Sequence, residues 1–238
     1  MIKFFRKIRQ NLLLENKTRK YFKYAIGEII LVVIGILIAL SINNWNEARK
    51  DREKEQLFLH KLTSNLSDDI SSLKNIIYSD SLIIQDLNKL MNEILTVDDP
   101  KELSFDNNSR YKYLIFSANT SLYDNMISTG QIGLFRNDSI FDALTNYYKN
   151  ATQVNNGLDA SIKKYSGEIE SFYVKFDHYL NDEKLTKKTI ADYRNEPFVL
   201  NSLWGKRNLI TFQINNYNSQ LTECKSLLKI VQSEIEKK

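Results

Sequence analysis

The chain has few of the residues that form tight turns. Seven glycines and two prolines occur among its 238 residues. β-Sandwiches and β-barrels need a turn roughly every 8–12 residues, so this scarcity argues against both. It favours a few long helices, and the length allows one domain with a substantial core beside a membrane segment.

Residues that commonly build catalytic and metal sites are scarce as well. The single cysteine, Cys224, excludes an internal disulfide. It belongs to a series of apolar residues at steps of three and four, a helical seam, and this place predicts a small buried side chain. His60 and His178 follow Leu57 and Lys175 by three residues, whereas a di-iron bundle needs glutamate there. A glycine-rich phosphate loop and a nucleophile elbow are also lacking. We therefore expect no enzyme activity, no cofactor and no metal site.

Positive charge is concentrated at the start of the chain. One acidic residue, Glu15, and eight basic residues lie within residues 1–23, and the basic ones are Lys3, Arg6, Lys7, Arg9, Lys17, Arg19, Lys20 and Lys23. Without this tail, 25 basic and 28 acidic residues remain. A slightly acidic remainder argues against a nucleic-acid partner.

The apolar run at 29–42 is the only long uncharged apolar segment of the sequence. Tyr24 and Trp45 flank it, and a helix between them rises roughly 32 Å, which matches a hydrocarbon core of about 30 Å. An aromatic residue then lies at each interface, and the basic tail stays in the cytoplasm. We predict a transmembrane helix at 24–43 in the inner membrane, with the C-terminal domain in the periplasm.

Three features of this segment carry further hypotheses. Ala39-Leu40-Ser41 has the small residues of a signal-peptide cleavage site, but the long charged tail favours an uncleaved anchor. Glu28 lies about 6 Å inside the cytoplasmic boundary, where it is a proton or ion site or a partner for a basic residue of another subunit. The favoured alternative is that it reaches the headgroups or pairs with Lys23 or the Tyr24 hydroxyl. Gly35 and Ala39 form a small-xxx-small pair that lets two helices approach closely.

The first fourteen residues combine apolar and basic side chains at helical spacing, with Ile2, Phe5, Ile8, Leu12 and Leu13 on the apolar stripe. This pattern predicts an amphipathic helix within a cytoplasmic tail, 1–23, that lies on the anionic inner leaflet of the bilayer. The alternative is a disordered tail that only orients the anchor.

Beyond the anchor the sequence predicts a stalk followed by a helical domain. Residues 44–56 carry charge on all sides, which is typical of a solvated helix leaving the membrane. Across 57–238, apolar residues recur at steps of three and four, the spacing of packed helices. Asp69 and Asp80 interrupt the first seam, and we expect them at its edge rather than as a buried pair.

About four long helices are predicted in this domain. The second is expected to start near Asn108 or Ser109, and the third at Asn137 or Asp138. A short helix precedes the last one, whose seam is the most regular in the sequence. Long seams at both ends of the domain call for an all-α antiparallel bundle.

Two groups of side chains are candidate binding surfaces. The connector with Ile132, Leu134 and Phe135 either docks a partner or folds back to close the core. The tyrosines on the seams, including Tyr147 and Tyr217, either line a cavity for a small amphiphile or pack in the core with their hydroxyls at its polar edge.

The residues around the anchor resemble a known family. Segments 1–9, 24–39 and 43–47 are similar to the opening of an uncharacterised family of bacterial single-pass membrane proteins, and 121–148 looks like its later signature. The resemblance implies an uncleaved anchor. It implies no activity.

Two functional hypotheses follow. The leading one is an interaction or scaffold protein that binds another membrane or envelope protein, with a homo-oligomer as a further option. The alternative is a ligand-sensing module that signals through a partner membrane protein. A partner is needed because the roughly 23 residues predicted to face the cytoplasm are too few for an output domain. A pocket among the tyrosines would favour sensing, and a co-purifying protein would favour scaffolding.

Overall fold

A computed structural model describes residues 18–99, 102, 113–176 and 189–237. All regular elements within these ranges are helical, and the ranges contain no β-strand. The predicted all-α class is therefore confirmed. The amphipathic helix predicted for the first fourteen residues lies outside the described residues.

The first of two compact units ends at Glu55, and its described part belongs to helix α1 (Thr18–Thr96). By length and composition, α1 is the one helix in the described ranges that is able to cross a membrane. The side chains of its apolar run, 29–42, are all exposed. This exposure distinguishes the run from a buried core helix of the same composition.

The second unit, Gln56–Lys238, contains the rest of α1 and the other described helices. These are α2 (Ser121–Ser128), α3 (Asp138–Phe176), α4 (Ile190–Asn195) and α5 (Pro197–Glu236), with a 3₁₀ turn at Gln131–Leu134. The long helices of this domain are α1, α3 and α5, and the short ones belong to the connections between them.

Hydrogen bonds between helices give their directions. The thiol of Cys224 on α5 donates to the carbonyl of Leu66 on α1 at 3.5 Å. Further along α1, Asn88 accepts a hydrogen bond from Arg207 at 3.3 Å. Residue numbers therefore rise along α1 as they fall along α5, so these two helices are antiparallel.

Helix α3 is antiparallel to α5 as well. Asn137 donates to Glu234 at 3.0 Å, and Asn150 donates to Glu223 at 3.3 Å. Since α5 opposes both other long helices, α1 and α3 run parallel. The arrangement confirms the predicted antiparallel bundle.

The predicted seams form the core of the domain. Buried apolar residues on α1 include Leu59, Leu62, Leu66, Leu73, Ile83, Leu87 and Ile94, and those on α5 include Leu203, Ile210, Tyr217, Cys224 and Val231. Each fully buried side chain of this size contributes roughly 1.5–3 kcal/mol to folding. Side chains of α3, among them Ile140, Leu144 and Leu158, complete the same apolar clusters.

Local signals fix several helix ends. Gly130 adopts a left-handed conformation with φ of 70° just after α2, where a glycine avoids the steric cost of a Cβ. Thr189 and Asp192 form a reciprocal capping box at the start of α4. Pro197 occupies the first turn of α5, where its missing N–H leaves no helical bond unmade.

The predicted second helix is wrong in its described first part. Residues 113–120 contain no helix, and α2 begins only at Ser121. The proposed start near Asn108 lies outside the described residues. The hydrogen bonds of this segment explain the difference.

Candidate interaction surface

Residues 113–120 form a strap without helix or strand, and side chains of the long helices bind its backbone. The amide of Gln213 donates to the carbonyl of Leu114. The N–H of Phe116 donates to the hydroxyl of Tyr217 at 3.0 Å in a fully buried position. Buried backbone groups need partners wherever they lie, and here distant side chains replace the bonds of a helix.

Asp69 binds the far end of the strap. Its Oδ1 accepts from the N–H of Asn119 at 3.1 Å, and its Oδ2 accepts from the hydroxyl of Tyr147 at 2.9 Å. Burial raises the pKa of Asp69, although both hydrogen bonds act in the opposite direction. The expected edge position of Asp69 and Asp80 is wrong, since they are 3% and 0% exposed. For Asp69 the reason is the strap, which supplies polar partners inside the domain.

Tyrosines on the seams also bind the strap. Tyr148 donates to the carbonyl of Asn119 at 3.1 Å, and burial raises the pKa of its hydroxyl and that of Tyr147. The ammonium of Lys206 lies 4.4 Å from the ring centre of Tyr113, a cation–π contact within the domain. Tyr147, Tyr148 and Tyr217 therefore pack in the core, as one alternative predicted, but their hydroxyls bond to the strap and to Asp69 rather than lie at a polar edge.

The apolar connector folds back onto the core. Phe135 is 6% exposed and belongs to the cluster around Leu59 and Tyr147, against which Ile132 and Leu134 also pack. These contacts agree with the second alternative for the connector. Little of its apolar surface is left for a partner.

Cys224 is a structural side chain, as predicted. It is fully buried, and burial raises the pKa of its thiol to about 11. A thiol in such surroundings stays protonated and unreactive at neutral pH. Within the described ranges, the structure contains no group of three or more side chains suited to hold a metal ion.

The residues singled out in the apolar segment lie on its surface. Tyr24 and Trp45 are 57% and 68% exposed. Gly35 and Ala39 are exposed too, and a Cβ added to Gly35 would meet no atom within 4 Å. Glu28 is half-buried and engaged in an interaction. No other part of the described structure therefore covers Gly35.

A groove of about 520 Å³ lies between α1 and α2. Its lining is mostly polar, with Phe58, Lys61, Ser64, Asn65, Ser121, Leu122 and Asn125. The groove is wide open to solvent, whereas pockets that bury small ligands are enclosed and mainly apolar. It is therefore a weak candidate for a ligand site.

The outward side of α5 has a different character. Its nine exposed positions from 201 to 222 carry amide, hydroxyl or aromatic side chains, namely Asn201, Trp204, Asn208, Thr211, Phe212, Asn215, Asn218, Ser219 and Thr222. We call this surface the docking face. Trp204 and Phe212 are 55% and 60% exposed. Interface cores are likewise poor in charge and rich in aromatic residues.

The charged residues of the same stretch point away from this face. Lys206 is 1% exposed within the domain. Arg207 reaches Asn88 of α1, and Glu223 accepts from Asn150 of α3. Between 201 and 222 the ionisable groups of α5 therefore lie on its inner and lateral sides, whereas the exposed Lys225 and Lys229 follow directly and end the docking face.

The outward faces of the other long helices are charged, as expected for solvated surfaces. On α1, Asp86 and Lys89 are exposed, and on α3, Lys163 and Glu168 are exposed. In a chain with 26% charged residues, nine successive exposed positions without charge are an exception that needs a cause.

The docking face was missed in the sequence analysis. Its signal is a second series on α5 with alternating steps of three and four, formed by positions 201, 204, 208, 211, 215, 218 and 222, which the exposed Lys225 and Lys229 continue and close with charge. Such a series presents one stripe about 32 Å long. Because most of its members are polar, the stripe becomes recognisable only after the buried side of α5 is known.

Comparison with known proteins gives one finding. A model for a family of unknown function, DUF6090, matches residues 28–199. This range includes the whole apolar run at 29–42, the strap, α2 to α4 and the start of α5. No curated protein and no solved structure matches the sequence. Since the family model covers well over half of the chain, the protein belongs to the DUF6090 family.

Proposed function

We propose that this protein is a membrane-anchored interaction protein. Its apolar segment fixes it in the inner membrane, and its helical domain binds another protein outside the cytoplasm through the docking face of α5. The domain acts as a scaffold and carries out no chemistry of its own.

Membrane anchoring is supported by three properties of the first unit. The apolar run is fully exposed, aromatic residues flank it, and the segment before it is strongly basic. An exposed apolar run of this length is costly in water and favourable in a bilayer. The basic residues favour a cytoplasmic N-terminus and hence an external domain.

The observation that carries the interaction role is the uncharged docking face. Burying Trp204 and Phe212 against a partner removes apolar surface from water, which stabilises a complex by roughly 25 cal/mol for each Å². No charged group has to be desolvated in return, a cost that often cancels the gain at charged surfaces. Large aromatic anchors of this kind provide most of the binding energy in many interfaces.

The interior of the domain favours an interaction role over ligand sensing. Three of the candidate tyrosines, Tyr147, Tyr148 and Tyr217, are bonded to the strap or to Asp69. The groove between α1 and α2 is polar and open. The groove lacks the enclosed apolar volume that a small amphiphile requires, and the hydroxyls of these three tyrosines are already used by partners inside the domain.

Site-specific photo-cross-linking in intact cells tests the proposal. A photoreactive phenylalanine analogue replaces Phe212 in the full chain, and the matched control carries it at Tyr78, an aromatic residue on α1 that is 68% exposed. We expect discrete protein adducts from position 212 and none from position 78. Equal adducts from both positions, or none from 212, would contradict the proposal. A heterogeneous adduct that muramidase digestion removes would indicate a polysaccharide instead and would contradict it as well.

A further inference from the structure

We infer that the docking face binds the same face of a second copy of this chain. The inference rests on the proposed function, because it names the partner of the same surface. Three properties of the face support a like partner: its lack of charge, its amide side chains and its spacing.

Lack of charge restricts what can cover the face. A partner that brought a charged side chain into contact with it would bury that charge without a counterion, which is costly. Exposed surfaces of the other long helices carry such charges, including Asp86, Lys89 and Lys163. A second copy presents a stripe of matching length with no charge on it.

Amide side chains make the face self-complementary. Asn208, Asn215 and Asn218 each carry donors and an acceptor, so the same side chain on a second copy satisfies both. Lysine or glutamate lacks this property, since each would meet its own charge. Polar asparagines within a helix-pairing seam also fix the register of the pair.

The spacing of the face suits another helix. Alternating steps of three and four place its members along one stripe on α5, as in helix pairs that pack side by side. Trp204 on this stripe and Phe212 beside it provide the apolar contacts. A stripe about 32 Å long buries less than a standard protein interface, so the pair is weak and depends on confinement of both copies in one membrane.

Two-fold pairing has a consequence that is independent of helix direction. The face extends from 201 to 222, so its midpoint lies at Thr211 and Phe212. Residues at the midpoint meet their own copies whether the two α5 helices run parallel or antiparallel. A cysteine at this point therefore lies close to the same cysteine of the second copy.

Disulfide cross-linking of the full chain in native membranes tests the inference. Thr211→Cys is compared with Ser71→Cys on the outward side of α1. Both native hydroxyls donate to the carbonyl four residues earlier, at 2.8 and 3.0 Å, so the two changes are matched. On oxidation we expect Thr211→Cys to form a species of twice the 27.9 kDa chain mass, and Ser71→Cys to remain monomeric. The unmodified chain should also stay monomeric, because Cys224 is buried.

A second change asks whether the absence of charge matters. Asn215→Asp is nearly isosteric but introduces a carboxylate into the pair, so we expect it to lower the Thr211→Cys cross-link about tenfold or more. Asn75→Asp, at an exposed asparagine of α1, should leave the cross-link unchanged. An undiminished cross-link with Asn215→Asp would overturn the inference.

The outcomes separate the inference from the proposed function. Equal cross-linking of Thr211→Cys and Ser71→Cys would indicate random collision and overturn the inference. If Thr211→Cys fails to cross-link while the photoreactive residue at 212 captures a different protein, the second copy is refuted and the interaction role stands. If neither experiment gives a product, both proposals fail.

Discussion

Replacing Tyr217 by phenylalanine tests whether the strap is held by side chains of the helices. The hydroxyl of Tyr217 accepts the N–H of Phe116 at 3.0 Å, and both residues are fully buried. The change removes this acceptor and keeps the ring, which contacts the ring of Phe116 edge-on with centres 6.1 Å apart. The apolar packing is therefore retained, and what is lost is the hydroxyl with its bonds to the N–H of Phe116 and to the side chain of Gln213.

The size of the effect follows from the buried N–H that is left without a partner. Leaving a buried donor unsatisfied costs about 1–3 kcal/mol, and no large cavity forms because a single oxygen atom is removed. For a domain of this length, each kcal/mol lowers the melting temperature by about 2–4 °C. We therefore expect Tyr217→Phe to melt roughly 2–12 °C below the parent.

Thermal unfolding and hydrogen exchange of a domain starting near residue 50 measure this effect. Tyr78→Phe is the matched control, because Tyr78 is 68% exposed and its change should stay within about 0.5 kcal/mol. The amide of Phe116 should also exchange faster in Tyr217→Phe than in the parent. A variant that melts with the parent and protects this amide equally well would refute the role assigned to Tyr217.

Three further changes give distinct expectations. Leu221→Asp places a charge in the apolar cluster of α5 and should abolish cooperative unfolding; melting within a few degrees of the parent would contradict this. Because the folded pKa of Asp69 is raised above 3.8, ionisation disfavours the fold, so the parent loses stability as pH rises from about 4 through the folded pKa. Asp69→Asn should lack that loss in urea unfolding across pH 4–7, and identical pH profiles would show that Asp69 does not titrate this way. Glu28→Gln should leave protein level, membrane placement and co-purifying proteins unchanged; specific loss of one such protein would assign Glu28 to a charged pair.

Helices α1 and α5 could be predicted from the sequence because their information is local. Apolar residues at steps of three and four recur from Leu59 to Ile94 and from Leu203 to Ile235, with no proline in either range. Periodicity of this kind is enough to identify a buried face. The buried state of Cys224 followed from its place on the second of these seams.

The strap could not be predicted in the same way. Its apolar residues Leu114, Ile115 and Ala118 have helical spacing, yet 113–120 contains no helix. The bond that decides this conformation joins Phe116 to Tyr217, which is 101 positions away in the sequence. Local periodicity contains no information about such a partner. The same applies to Asp69, whose burial depends on Asn119 and Tyr147.

The docking face was hidden for a related reason. The buried side of α5 alone explains the regular spacing of its apolar residues, so the sequence gives no separate sign of a second surface on this helix. Only the structure shows that Lys206, Arg207 and Glu223 all turn away from the outer side. Trp204 and Phe212 then remain as aromatic residues on a surface without charge.

The proposed placement of the docking face outside the inner membrane is tested most directly by labelling one cysteine. Phe212→Cys is treated with a membrane-impermeant maleimide in cells whose outer membrane alone has been permeabilised. We expect Phe212→Cys to react before the inner membrane is opened, and the parent chain to remain unlabelled because Cys224 is fully buried. Labelling of Phe212→Cys only after lysis of the inner membrane would place the domain in the cytoplasm and contradict the proposed function.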